Sequence, residues 1–109
     1  MSNKLILSKN INGQFTRVGE LAFGPKGQAT LTVHDKGPVG AELKEAWKEV
    51  SAMPKVLMKW SELDPSDKSG ATQLLKGREV PKGDPDYVTA VADILSRNYG
   101  FFGTPSDLT

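Results

Sequence analysis

FTRVGELAFGPKGQATLTV, residues 15–33, is the stretch on which the fold turns. Two alternating runs flank Gly24-Pro25-Lys26-Gly27. In the first, Phe15, Leu21 and Phe23 fall on one side; in the second, Ala29, Leu31 and Val33 do. Thr16, Glu20, Gln28, Thr30 and Thr32 fall on the opposite sides. Side chains alternate across a strand, so a two-residue period rich in β-branched residues predicts a hairpin with one apolar face for other elements to cover. Proline second and glycine fourth in the tetrapeptide predict a type I turn with a bulge at Gly27. A phosphate loop would need four residues between its glycines and then Lys-Ser/Thr, which GPKGQ lacks. Gly19, on the apolar side, marks either a bulge or a close approach by another element.

Upstream, Lys4 to Ile11 predicts a strand with Leu5, Leu7 and Ile11 on one face, ended by Asn12-Gly13, which tolerate positive φ. A two-residue loop there would place Leu5 opposite Glu20. A three-residue loop, Asn12 to Gln14, pairs Ile11 with Phe15 and Leu5 with Leu21, and is the expected register. The first third of the chain therefore reads as a three-stranded antiparallel β-meander.

Downstream, the spacing predicts helices. Pro38 to Ala52 carries Val39, Leu43, Ala46, Trp47 and Val50 on one stripe, with Pro38 suited to the first helical position and Trp47 the largest buried contributor. Residues 54–63 fit two periods. Val56, Met58 and Trp60 alternate as in a strand but Leu57 interrupts them, whereas Val56, Leu57, Trp60 and Leu63 form a helical stripe, which is preferred. Asp64-Pro65 then caps a short helix to Lys76 that buries Ala71, Leu74 and Leu75 and stops at Gly77. Arg78 to Gly83 is a loop, Asp84-Pro85 caps a last helix with Tyr87, Val91, Ile94, Leu95 and Tyr99 inward, and Gly100 ends it. Phe101 and Phe102 fold back on the core. The expectation is one α+β domain over residues 1–102, a meander followed by three or four helices packed on one face, with a frayed tail at 103–109.

Composition narrows function only by exclusion. The 109 residues are 38% hydrophobic and 25% charged, ordinary for one globular domain. The net charge of +1 splits into +2 before Pro54 and −1 after it, so no half is a basic arm. Without cysteine there is no thiolate nucleophile, disulfide or cysteine-ligated metal. No apolar run approaches the ~20 residues of a membrane helix, and MSNKLILSKN is too short in its apolar part for a secretory signal. A cytoplasmic location is the expectation.

His34, the single histidine, sits beside Asp35, a pairing that could orient a general base. No serine or lysine is tied to it by spacing, and an exposed turn residue is the preferred reading. Asp64-Pro65-Ser66-Asp67 and Asp84-Pro85-Asp86 read as helix starts, where carboxylates are favourable without any ion; neither has the ligand spacing of a calcium loop. No catalytic, cofactor or metal site is expected.

One interval invites comparison. SGATQLLKGREVP followed by DPDYVTAVADIL, within residues 68–95, resembles the closing part of a Cro/repressor-type helix-turn-helix domain, with Trp60 to Asp64 standing where that family has its alanine and glycine. The resemblance implies that Lys68, Thr72 and Gln73 face bases and that Lys76, Arg78 and Lys82 contact phosphate. The leading expectation is nonetheless a small non-catalytic protein-binding module, a regulator or inhibitor of a macromolecular partner. A DNA-binding transcriptional regulator using residues 54–95 is the alternative, and a small enzyme using His34 and carboxylates the third. The partner is a protein or else nucleic acid, with no membrane; a homodimer is compatible with the chain.

Overall fold

The computed structural model describes residues 4–106. In chain order these form β1 (Lys4–Ile11), β2 (Gln14–Phe23), β3 (Ala29–Val33), α1 (Pro38–Ser51), β4 (Lys55–Leu63), β5 (Gln73–Pro81), α2 (Tyr87–Ile94), one π-helical turn (Leu95–Tyr99) and β6 (Phe102–Ser106). Strand outweighs helix, 45% to 26%, so the expected meander followed by three or four helices is corrected. There are two helices and two antiparallel sheets among the described residues, one ordered β3-β2-β1-β6 and a separate hairpin of β4 and β5.

The meander exists within the larger sheet, but by a different route. Asn12 (φ 52°) and Gly13 (φ 87°) form a two-residue turn, so Ile11 pairs with Gln14 rather than with Phe15. A bulge then inserts Val18 between the partners of Leu7 and Ser8, which restores the pairing of Leu5 with Leu21. One extra residue reverses the facing of everything before it. Val18 and Gly19 are therefore both buried, and Phe15 lies on the outer face, edge-on to Phe102 at 5.2 Å between ring centroids. Gly19 serves both expected purposes, since a Cβ there would meet the Thr32 carbonyl at 2.6 Å and Leu43 Cδ2 at 2.8 Å. At the second turn the Gly27 N–H donates to the Gly24 carbonyl (3.1 Å) and Gly27 has φ 83°, a turn closed by a glycine bulge.

Part of the segment expected to fray is β6. Phe102–Ser106 pairs with β1 along its open side, with Gly103 on the core face against Ala92, Leu5 and Leu7. Pro105 is tolerated because β6 is an edge strand, where a missing N–H leaves no bond unmade. Residues 107–109 of the expected tail, and residues 1–3, lie outside the described residues.

α1 starts at Pro38 as expected, yet its cap comes from further back. Asp35 Oδ2 accepts the N–H groups of Gly37 (3.0 Å) and Gly40 (2.8 Å). Leu43, Ala46 and Val50 are buried while Trp47 is only half-buried; Tyr87 and Phe101 are the largest fully buried side chains. α2 begins at Tyr87, two residues after the proline read as its start, and Asp84 does not cap it. One core joins Leu5, Leu7, Leu21 and Phe23 of the large sheet to Leu43 and Val50 of α1, Val91 and Ile94 of α2, and Val56 and Val80 at the root of the hairpin. No helix among the described residues is long and apolar enough to cross a membrane.

Candidate functional site

The segment read as two helices, residues 54–76, is β4, a loop and the first part of β5. Its hairpin leaves the body. Val56 and Val80, paired and fully buried, are the only deeply buried residues in either strand. The radius of gyration of 15.4 Å, against about 13 Å for a compact chain of this length, and the longest dimension of 51 Å both reflect this arm.

Alternate residues of an antiparallel pair turn their main-chain groups toward and away from the partner. The Asp64 N–H donates to the Thr72 carbonyl at 2.9 Å, so the even-numbered residues of β4 and β5 face each other across the ladder and the odd-numbered ones face outward. On the β4 side the outward groups near the root are met. The Lys59 N–H donates to Asp93 Oδ2 at 3.1 Å, and Arg97 Nη2 donates to the Leu57 carbonyl at 2.9 Å. Asp93 and Arg97 also hold each other, at 3.2 Å. On the β5 side, Gln73, Leu75, Gly77 and Glu79 turn their main-chain groups outward, and β5 pairs with no second strand among the described residues.

Five of the seven exposed large hydrophobic residues sit on this arm: Leu57, Trp60, Leu63, Leu74 and Leu75, the last 76% exposed. Cross-strand pairing places Leu57, Leu63 and Leu75 on one face and Trp60 and Leu74 on the other. Each face carries these apolar residues among polar and charged ones, and beyond the root, where Val56, Val80 and Met58 pack against the core, they are exposed. The Trp60 indole N–H donates to Glu62 Oε1 (3.0 Å), which holds its ring along the strand.

The arm is braced at both ends. At its root, Arg78 grips Asp84 with both terminal nitrogens (3.1 Å each) and reaches Asp86 at 2.7 Å. The Arg78 guanidinium holds the Asp84 carboxyl below the usual carboxylate range, and Asp84 in turn raises Arg78. At its far end two similar turns follow one another. Asp64 Oδ1 accepts the N–H and Oγ–H of Ser66, and Asp67 Oδ1 accepts those of Ser69, while Asp67 Oδ2 takes the Thr72 N–H at 2.8 Å. Hydrogen bonds from Thr72 and Ser69 hold the Asp67 carboxyl far below its ordinary value, and those from Ser66 lower Asp64. Gly70, at φ 69°, completes the reversal.

The residues singled out by the helix-turn-helix resemblance are scattered by this geometry. The recognition helix is not formed. Lys68 and Thr72 lie in the distal loop, Gln73 and Lys76 in β5, and Arg78 is engaged with two carboxylates. Lys82 donates to the Ser51 carbonyl at 2.7 Å, at the C-terminal end of α1. His34 is exposed, and the carboxylate beside it, Asp35, is committed to α1. No group of His, Cys, Asp or Glu able to hold a metal ion occurs among the described residues. Spacing could not show the Asp93–Arg97 pair that meets β4; its only trace in the sequence is an acid four residues before a base on a helical segment.

A cleft of about 610 Å³ lies between the β2–β3 turn and the start of α2, lined by Phe23, Pro25, Gly83, Tyr87, Val88 and Pro105. The Tyr87 hydroxyl is buried with no hydrogen-bond partner among the described residues, and burial raises its pKa. A second hollow of about 470 Å³ lies beside Leu31, Val33 and the start of α1. Comparison with known protein families, with curated proteins and with solved structures found no match.

Proposed function

We propose that this chain is a non-catalytic protein-binding module, a regulator or inhibitor of a macromolecular partner, and that the β4–β5 arm is its contact surface. The observation that carries the reading is the gathering of Leu57, Trp60, Leu63, Leu74 and Leu75 on a projecting hairpin that covers none of them. Exposed apolar residues scattered singly need no explanation, but five on one braced projection mark a surface that is covered by something else. A polyanion is a poor candidate for that role, because Glu62, Asp64 and Asp67 crowd the far end and Arg78 is already neutralised. A cytoplasmic location belongs to this proposal and rests on the sequence alone.

The test compares affinity capture by the wild-type chain and by a Trp60→Ala, Leu75→Lys variant after nuclease treatment. A partner retained by the first and lost by the second supports the reading. Capture that is equal for both, or that disappears with nuclease, refutes it.

A further inference from the structure

We infer that the face of the arm bearing Leu57, Leu63 and Leu75 is the docking site for an amphipathic helix of a protein partner, its apolar stripe flanked by acidic side chains. The inference rests on the reading of the arm as a contact surface and names what meets it. The two faces of the arm are not equivalent. On the other face Val56, Met58 and Val80 pack against the core, and Arg78 is gripped by Asp84 and Asp86. On the leucine face every residue is exposed, from Lys55 and Pro81 at the root to Leu63 and Gln73 at the tip. Gly77 supplies a second observation. It lies mid-strand on this face, opposite Lys59, where a glycine weakens a strand. Three ordinary reasons for it do not apply. β5 runs against β4 without a register shift, Gly77 has no positive φ, and a Cβ there would stand 3.5 Å from Leu57 Cδ1, an ordinary contact. A strand glycine that is neither bulged nor crowded leaves room for the close approach of something else.

Shape and charge select the occupant. Two strands about 4.8 Å apart, with their side chains, make a face about as wide as one helix, whose diameter is about 10–12 Å. Leu57 and Leu63 lie six positions apart on one strand, about 20 Å, a distance that a helix spans in about 13 residues. Leu75, opposite Ser61, falls between them, so a single helical stripe along the arm meets all three. Lys55 and Lys59 stand on either side of Leu57 along β4, and neither ammonium has a hydrogen bond or ion pair among the described residues. Glu79, opposite Leu57, is the one acid on this face, so its root half carries two cations to one anion. Covering unmatched ammonium groups with apolar surface is costly, whereas carboxylates on the incoming helix meet them.

Labelled synthetic helices of about 14 residues test this on the full chain. One carries a leucine stripe flanked by glutamates, a second has lysines in place of the glutamates, and a third has the stripe changed to glutamine. The acidic leucine peptide should bind in fluorescence anisotropy, shift the Leu57, Lys59 and Leu75 amides in NMR spectra, and weaken as salt rises. Lys55→Glu combined with Lys59→Glu should weaken it roughly tenfold or more and transfer the preference to the basic peptide. The thermal midpoint should not change, because both side chains are exposed and unpaired among the described residues. Gly77→Thr, which favours a strand, should weaken the acidic peptide without lowering the midpoint. The inference is overturned if none of the peptides binds, if the acidic one binds no better than the basic or glutamine one, or if charge reversal or Gly77→Thr leaves its affinity unchanged. If one of these results is found while capture of a nuclease-resistant partner still depends on Trp60 and Leu75, the arm remains a protein contact with a different occupant. If that capture fails too, the reading of the arm falls as well.

Discussion

Replacing Tyr87 with phenylalanine should make this protein more stable, which is unusual for a change at one of the two largest fully buried side chains. The hydroxyl is removed from water with no partner among the described residues, and leaving a buried hydroxyl unpaired costs about 1–3 kcal/mol. The ring itself is kept, including its edge-to-face contact with Phe23 at 6.1 Å. A small loss of packing where the oxygen stood offsets part of the gain, so a net stabilisation of about 1 kcal/mol is expected. For a domain of this size that corresponds to a rise of about 4–8 °C in the thermal midpoint. The pH dependence provides a second readout. Burial raises the Tyr87 pKa above the ordinary value of 10.0. The unfolded chain therefore loses this proton at a lower pH than the folded chain does. The native state's advantage from Tyr87 is fully present below pH 10 and is lost as pH rises from there through the raised folded value. The variant should lack that component of alkaline destabilisation. Circular dichroism melts of both proteins at neutral pH and across the alkaline limb measure both effects. A midpoint that falls by several degrees would refute the reasoning, because it would mean that the hydroxyl is hydrogen-bonded and holds the cleft wall in place.

Three further outcomes test the rest of the structure. Asp93→Ala removes the acceptor for the Lys59 N–H and a partner of Arg97; it should cost about 1 kcal/mol and speed hydrogen exchange at Lys59 while leaving the Val56 amide protected. Gly40→Ala should destabilise by about 1–3 kcal/mol in urea denaturation, although alanine is the better helix former, because the new Cβ would meet the Asp35 main-chain carbonyl. On acidification the distal loop should hold its shape through the usual carboxylate range, since hydrogen bonds from Thr72 and Ser69 keep the folded pKa of Asp67 far below its ordinary value of 3.8. The stabilisation from Asp67 is present above that ordinary value and is lost as pH falls through the folded one. An NMR titration in which the Ser69 and Thr72 amide shifts move near pH 4 would contradict this.

The meander was legible because its strands each bury one face, and alternation is the imprint of one-sided burial. Leu5 opposite Leu21 could be read from the pattern, as could the glycine bulge at Gly27. The bulge at Val18 could not. A two-residue turn plus one inserted residue and a three-residue turn without it pair Leu5 with the same partner, and only the side of the sheet on which Phe15 lies distinguishes them. Residues 54–76 were misread for a different physical reason. Past Met58 the hairpin leaves the core, so neither face is constrained by one-sided burial, and Leu57, Leu63 and Leu75 break the two-residue period that a half-buried strand would show. Asp64 and Asp67 carry the residue type of helix caps, but their carboxylates close turns onto Ser66 and Ser69 instead, since the same side-chain hydrogen bond serves either purpose. β6 was concealed by Gly103 and Pro105, which are acceptable only because the strand lies at an edge.

A lone two-stranded ribbon is marginal in water, so the order of the distal arm requires a cause. Asp93 and Arg97 account for β4 no further than Lys59. Beyond that point the order comes from the ladder, from the Trp60–Glu62 bond and from the twin serine-closed turns of the loop, all of them polar and local. None of these contacts buries Leu63, Leu74 or Leu75. The far half is thus stiffened by groups that do nothing for its apolar side chains, the arrangement expected where those side chains are held in place for a second surface to meet. Ordering them beforehand removes part of the entropic cost of association. If the apolar residues were there to stabilise the monomer, changing Leu75 to lysine would lower its stability; exposed as it is, the change should leave the monomer's urea midpoint where it was and act on association alone.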